Sequence, residues 1–134
     1  MHETPVATVV VEGEHGYEQR IRSGKHGWSS DEPASRGGTD TGPNPTVLLL
    51  SALGACTGIT LRMYAERKKW ELGRIRVTVS LQHRETEERQ RIEREVGFGA
   101  PLSAEQKSKL AEIAEKTPVT RLVRAGADIE TKIA

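Results

Sequence analysis

The feature that most constrains this chain is a stretch without a single charge, Thr41 to Leu61, within "TGPNPTVLLLSALGACTGITLRMYAERKKW" (41–70). Asn44 is a good helix N-cap, and Pro45 suits the first helical position, where its missing N–H costs nothing. The cationic run Arg67, Lys68, Lys69 suits the opposite end, and Gly73 breaks the chain beyond it. One helix from Pro45 to Lys69 is predicted. Its fully apolar part is shorter than the ~20 residues of a membrane span, and Ser51, Thr57 and Thr60 interrupt it. A buried soluble helix, with no membrane partner, is the expectation.

Glycine inside a helix costs roughly 1 kcal/mol relative to alanine, so Gly54 and Gly58 need a packing reason. Ser51 and Ala55 add a second small-residue pair at the same i,i+4 spacing. Close approach of a helix from a symmetry mate would supply that reason. Composition agrees: 35% of the 134 residues are hydrophobic and 4% aromatic, so a partner subunit is expected to complete the apolar surface. Twenty basic against nineteen acidic residues give a formal charge of +1, which provides no global field for nucleic acid.

"ATVVVEG" (7–13) and "YEQRIRS" (17–23) read as strands joined by a turn around His15-Gly16, and "HGWSSDEP" (26–33) is a candidate third. "SRGGTDTGPNP" (35–45) is a loop dense in Gly, Pro, Thr and Asp. After the helix, "RIRVTVSLQH" (74–83) alternates, with Ile75, Val77, Val79 and Leu81 on one face. A charged turn over 84–89 leads to a strand carrying Ile92, Val96 and Phe98. Arg94 falls in phase with them and reads as an arginine whose stem packs while its head reaches water. Ser103 and Gln106 form a capping-box signature for a helix over 104–116, with Leu110, Ile113 and Ala114 inward. Thr117-Pro118 opens a short helix that Gly126 ends, and "ADIETKI" closes the chain as a strand. The fold class is α+β, one domain over residues 1–134 with one dominant helix.

Cys56 is the only cysteine, so no internal disulfide forms, and the N-terminus lacks the pattern of a signal peptide. A reducing, cytoplasmic setting follows. Cys56 lies eleven residues past Pro45, beyond the reach of the helix dipole, among Leu49, Ala52, Leu53, Ile59, Thr60 and Met63. Apolar burial raises a thiol above its ordinary value of about 8.5. Local sequence alone reads as an inert buried thiol, and a functional one would need a cation from Arg20, Arg22 or Arg36. His2, His15, His26 and His83 lack metal-site spacing, and the acids Asp31, Glu32 and Asp40 read as turn chemistry. No metal and no cofactor is expected.

"SDEPASRGGTDTGPNPTVLLLSALGACTGITLRMYAERKKW", followed by two strands and "AEIAEKTPVTRLV", resembles the superfamily of osmotically induced protein C and the organic hydroperoxide resistance proteins (OsmC/Ohr). Gly42-Pro43-Asn44-Pro45, Ala55-Cys56 and Lys116-x-Pro118-Val119 carry the resemblance most strongly. It implies an OsmC-like fold: an intertwined homodimer with long helices packed centrally between β-sheets. In peroxidase members a cysteine at the position of Cys56 attacks the hydroperoxide, an arginine stabilises its thiolate, and an acid after Asn-Pro holds the arginine. A second cysteine before Pro-Val resolves the sulfenic acid.

This chain departs twice. Thr46 stands at the acid position and Thr117 at the resolving position. Arg36 is the first choice for the arginine and Arg22 the second, and either also reads as a solvated surface residue. Two functions follow from the resemblance. One is a thiol-dependent organic hydroperoxide reductase that uses Cys56 with an external thiol, in oxidative stress defence. The other is a non-catalytic dimer binding a small or lipid-like apolar ligand in an interfacial pocket.

Overall fold

The computed structural model describes residues 4–83 and 89–134. The charged turn expected over 84–89, apart from Arg89, and the N-terminal His2 lie outside the described residues. Residues 1–49 and 50–134 form two compact units.

In the first unit, β1 (Val10–Glu12), β2 (Gln19–Ser23) and β3 (His26–Ser30) form an antiparallel sheet in that order. The candidate third strand is therefore present. Ser23 pairs with His26 across a two-residue turn, where Gly24 takes φ +57°, the left-handed region that glycine enters freely. After β3 the chain makes a short 3-10 turn, Ala34–Arg36. The loop then folds back on the sheet: Ser30 Oγ donates to the Pro43 carbonyl at 2.8 Å. A Cβ at Gly42 would run into the Ser29 carbonyl and one at Gly38 into that of Glu32. The two glycines make this close return possible.

Helix α1 runs Pro45–Lys68. Asn44 caps it as expected, its Oδ1 accepting from Val47 N at 2.9 Å. At the other end Lys69 turns left-handed (φ +59°), and Trp70 N closes on the Ala65 carbonyl at 2.8 Å.

In the second unit, β4 (Ile75–Gln82) and β5 (Arg91–Phe98) pair antiparallel from Ile75↔Phe98 to Gln82↔Arg91. Helices α2 (Ala104–Ala114) and α3 (Pro118–Ala125) follow. The capping box is complete: Gln106 N donates to Ser103 Oγ at 3.0 Å and Ser103 N to Gln106 Oε1 at 2.9 Å. Leu61, Tyr64, Ala65, Leu72, Leu110 and Ala114 form the core, with Ile113 packed against it.

Within the chain, the nearest atoms to the missing Cβ positions of Gly54 and Gly58 are Val79 Cγ2 at 3.4 Å and Val77 Cγ2 at 3.9 Å, ordinary van der Waals distances at which β4 leaves room for an alanine. Two expectations are corrected. Residues 127–133 form no strand. A strand needs a ladder partner for its backbone groups, none pairs with it among the described residues, and Ile129 and Ile133 are almost fully exposed. Leu81, expected to face inward with Ile75, Val77 and Val79, is exposed.

Candidate functional site

From Leu53 onward α1 carries two kinds of side chain. Leu53, Thr57, Leu61, Tyr64 and Ala65 are buried, at the spacing of one helical face. Cys56 is a free, partly buried thiol, turned about 100° around the helix from Thr57. Beyond it, Ile59 and Met63 are exposed.

Thr57 is wholly buried and donates its hydroxyl proton to the Leu53 carbonyl at 2.7 Å. Its lone pair is thereby left for Arg94. Arg94 Nη1 donates to Thr57 Oγ1 at 3.0 Å and to Thr120 Oγ1 at 2.8 Å, while Nη2 donates to the Ala114 carbonyl at 3.1 Å. The side chain is 13% exposed. The expectation that its head reaches water is thus corrected: a buried guanidinium must find acceptors, and three elements provide them.

Thr117 sits in the same network. It is fully buried, caps α3 by accepting from Thr120 N at 3.2 Å, and lies 2.6 Å from Thr120 Oγ1. One proton assignment satisfies every contact: Thr117 donates to Thr120, and Thr120 donates to the Ala114 carbonyl at 3.3 Å. Among the described residues no buried side-chain nitrogen or oxygen lacks a partner. Glu115 completes the cluster at its rim, 3.5 Å from Arg94 and 2.6 Å from Arg124. The Arg124 hydrogen bond, with the charges of Arg124 and Arg94, holds the Glu115 carboxyl below its ordinary value.

The other predicted residues lie in the first unit. Arg22, on β2, is exposed and pairs with Glu12 at 3.2 Å. Arg36 ends the 3-10 turn and is exposed. Thr46 is exposed in the first turn of α1, which contains no acid. Asp31, read from sequence as turn chemistry, is nearly fully buried. Its Oδ2 accepts from the hydroxyls of Thr39 (2.8 Å) and Thr41 (3.0 Å) and from both their backbone amides. The Thr39 hydroxyl, above all, holds this carboxyl far below the usual carboxylate range.

Sequence reasoning missed Thr57, Thr120 and Glu115 as partners of Arg94. One signal was available, the phase of Arg94 with Ile92 and Val96. A charge in step with core residues has to be satisfied inside.

The arrangement defines an α+β protein whose long helix bears a lone thiol beside a buried cation–hydroxyl network. The family model described as OsmC-like protein matches residues 38–132. The chain belongs to the OsmC-like protein family. Among solved structures, it is similar to an OsmC-like protein from Mycoplasma pneumoniae (17% identity, TM-score 0.76), covering 92% of this chain and 89% of that one. It also resembles the organic hydroperoxide resistance protein OhrB of Bacillus subtilis (27% identity, TM-score 0.61, 92% and 93% covered). An organic hydroperoxide resistance protein of Legionella pneumophila matches at 19% identity and TM-score 0.61 (90% and 92% covered). No curated protein matches the chain.

Proposed function

We propose that this OsmC-like protein is a one-cysteine, thiol-dependent organic hydroperoxide reductase. The observation that carries the reading is the placement of Cys56: a free thiol, incompletely buried, on the side of α1 that its own core does not claim. Similarity to two organic hydroperoxide resistance proteins supports the substrate class. The Cys56 thiolate attacks the outer peroxide oxygen, the O–O bond breaks, and the alcohol leaves after taking up a proton. The resulting sulfenic acid is attacked by an external thiol, giving a mixed disulfide and water. A second external thiol releases Cys56 and leaves as part of the oxidised reductant. No second protein thiol is needed, and Thr117 has none to offer. Arg36 is the first candidate for the cation that stabilises the thiolate. Arg22, already paired with Glu12, is the second.

The test is consumption of cumene hydroperoxide with dithiothreitol or dihydrolipoamide. Wild type should turn over and Cys56→Ser should not; equal rates would remove the proposal. The loss of both the acid and the resolving thiol favours the second reading, a non-catalytic ligand-binding dimer, which predicts no turnover in either protein.

A homodimer in a reducing, cytoplasmic setting belongs to both readings. Only 17% of the most apolar 18-residue window of α1 is buried. By length and composition this helix could cross a bilayer, which the sequence reading did not expect. Protein nevertheless claims one of its sides, through Val77, Val79 and Arg94. A symmetry-related α1 across Ala55, Ile59 and Met63 would cover the open side. Because Gly58 faces β4, the informative substitution is Ile59→Asp, which should yield monomer in sedimentation. A wild-type monomer at micromolar concentration would exclude the dimer.

A further inference from the structure

Between β5 and the inward face of α2 lies a cavity of about 490 Å³, partly open to solvent. Leu61, Val96, Phe98, Leu102, Leu110 and Ala114 form its apolar wall. Leu61 and Leu110 belong to the closed core, each 1% exposed. Val96, Phe98 and Leu102 pack against that core yet are only partly buried. The gap leaves this wall without the dispersion contacts that close packing supplies.

Water is a poor occupant of such a space, because an ordered water needs about two to four polar partners. Among the described residues, the charged side chains on the lining are Arg94, Lys107 and Glu115. Arg94 is committed to Thr57, Thr120 and the Ala114 carbonyl, and Glu115 to Arg124 at 2.6 Å. Lys107 is exposed at the rim, where a lysine head stays in water. A charged group carried inward would lose its hydration against carbon. An uncharged apolar group would lose nothing and would finish the burial of Val96, Phe98 and Leu102. The volume lies within the range of small-molecule sites. We infer that this cavity binds a small, uncharged, apolar molecule. Cys56 does not line it, so the site stands whether or not Cys56 reduces peroxides.

The experiment titrates toluene into the full-length, methyl-labelled chain and follows the NMR signals of Val96, Leu102 and Leu110. Benzoate and benzylammonium, the same ring with a negative or a positive charge, are the comparison ligands. Saturable shifts at these residues are expected, with toluene at least about tenfold tighter than either charged ligand. Ala111→Phe places a ring at the mouth from α2 and should weaken toluene about tenfold or more. If that variant does not fold, Ala100→Phe serves in its place. Benzoate binding as tightly as toluene would show that Lys107 selects an anion, and benzylammonium doing so would give the selection to Glu115; either overturns the inference. So would shifts that do not saturate, binding undiminished in the filled variant, or the same signals moving on dilution without toluene, which would place a second copy on this face.

Discussion

Each unit of this molecule encloses one charge in threonine hydroxyls and backbone groups, and the two enclosures differ in reach. Asp31 is an anion whose partners, Glu32, Thr39 and Thr41, all lie within ten residues of it. Arg94 is a cation whose partners, Ala114, Thr120 and Thr57, lie 20, 26 and 37 residues away. The first arrangement shapes a loop. The second ties β5 to α1, to the end of α2 and to the start of α3. Chemically the two are mirror images, since a threonine hydroxyl can donate to a carboxylate or accept from a guanidinium. What separates them is how much structure depends on each.

Arg94→Met sets that difference at its largest. The substitution keeps much of the side-chain volume but leaves the buried Thr57 hydroxyl oxygen without a donor and takes one of two donors each from Thr120 Oγ1 and the Ala114 carbonyl. A loss of about 3 kcal/mol is expected, as for other broken buried polar networks. Denaturant unfolding of the 50–134 unit's signals, Trp70 among them, measures it. The loss should be flat between about pH 5 and 9, because arginine stays charged throughout. A variant as stable as wild type would show that the network ties nothing together.

Asp31→Asn should have a smaller effect, confined to the loop, and one that depends on pH. The folded-state carboxyl is held below its ordinary value, so its stabilisation is fully present above the unfolded value near 3.9 and is lost as pH falls below that. Wild type and variant should differ at neutral pH and converge in acid. Amide hydrogen exchange at Thr39 and Thr41 is the local readout. A difference that persists unchanged to low pH would mean that shape, not charge, holds this loop.

The same contrast of reach explains what could be read from the sequence. The Asn44 cap, the Ser103–Gln106 box, the Thr117-Pro118 helix start and the inward face of α2 are each written within a few residues, and each stands as expected. The role of Asp31 as turn chemistry was legible for the same reason. The Arg94 network was not, because nothing local says that Thr57 and Thr120 will converge on a strand between them in sequence. Gly54 and Gly58 read as demanding close approach, but β4 passes them at distances that would admit an alanine. The tail over 127–133 alternates like a strand, yet alternation cannot supply the partner that a ladder requires.

Thr117 brings the comparison to the chemistry. Where the family resemblance implies a resolving thiol, this chain places a buried hydroxyl already committed to Thr120 and, through it, to Arg94. Any sulfenic acid formed at Cys56 must therefore wait for an external reductant or oxidise further. Intact-mass spectrometry with peptide mapping after graded cumene hydroperoxide, in the absence of thiol, tests this most directly. The account predicts one and then two oxygen atoms on the Cys56 peptide, and a mixed disulfide instead when a small thiol is added. A Cys56 that stays unmodified through excess peroxide, in folded protein, would contradict it.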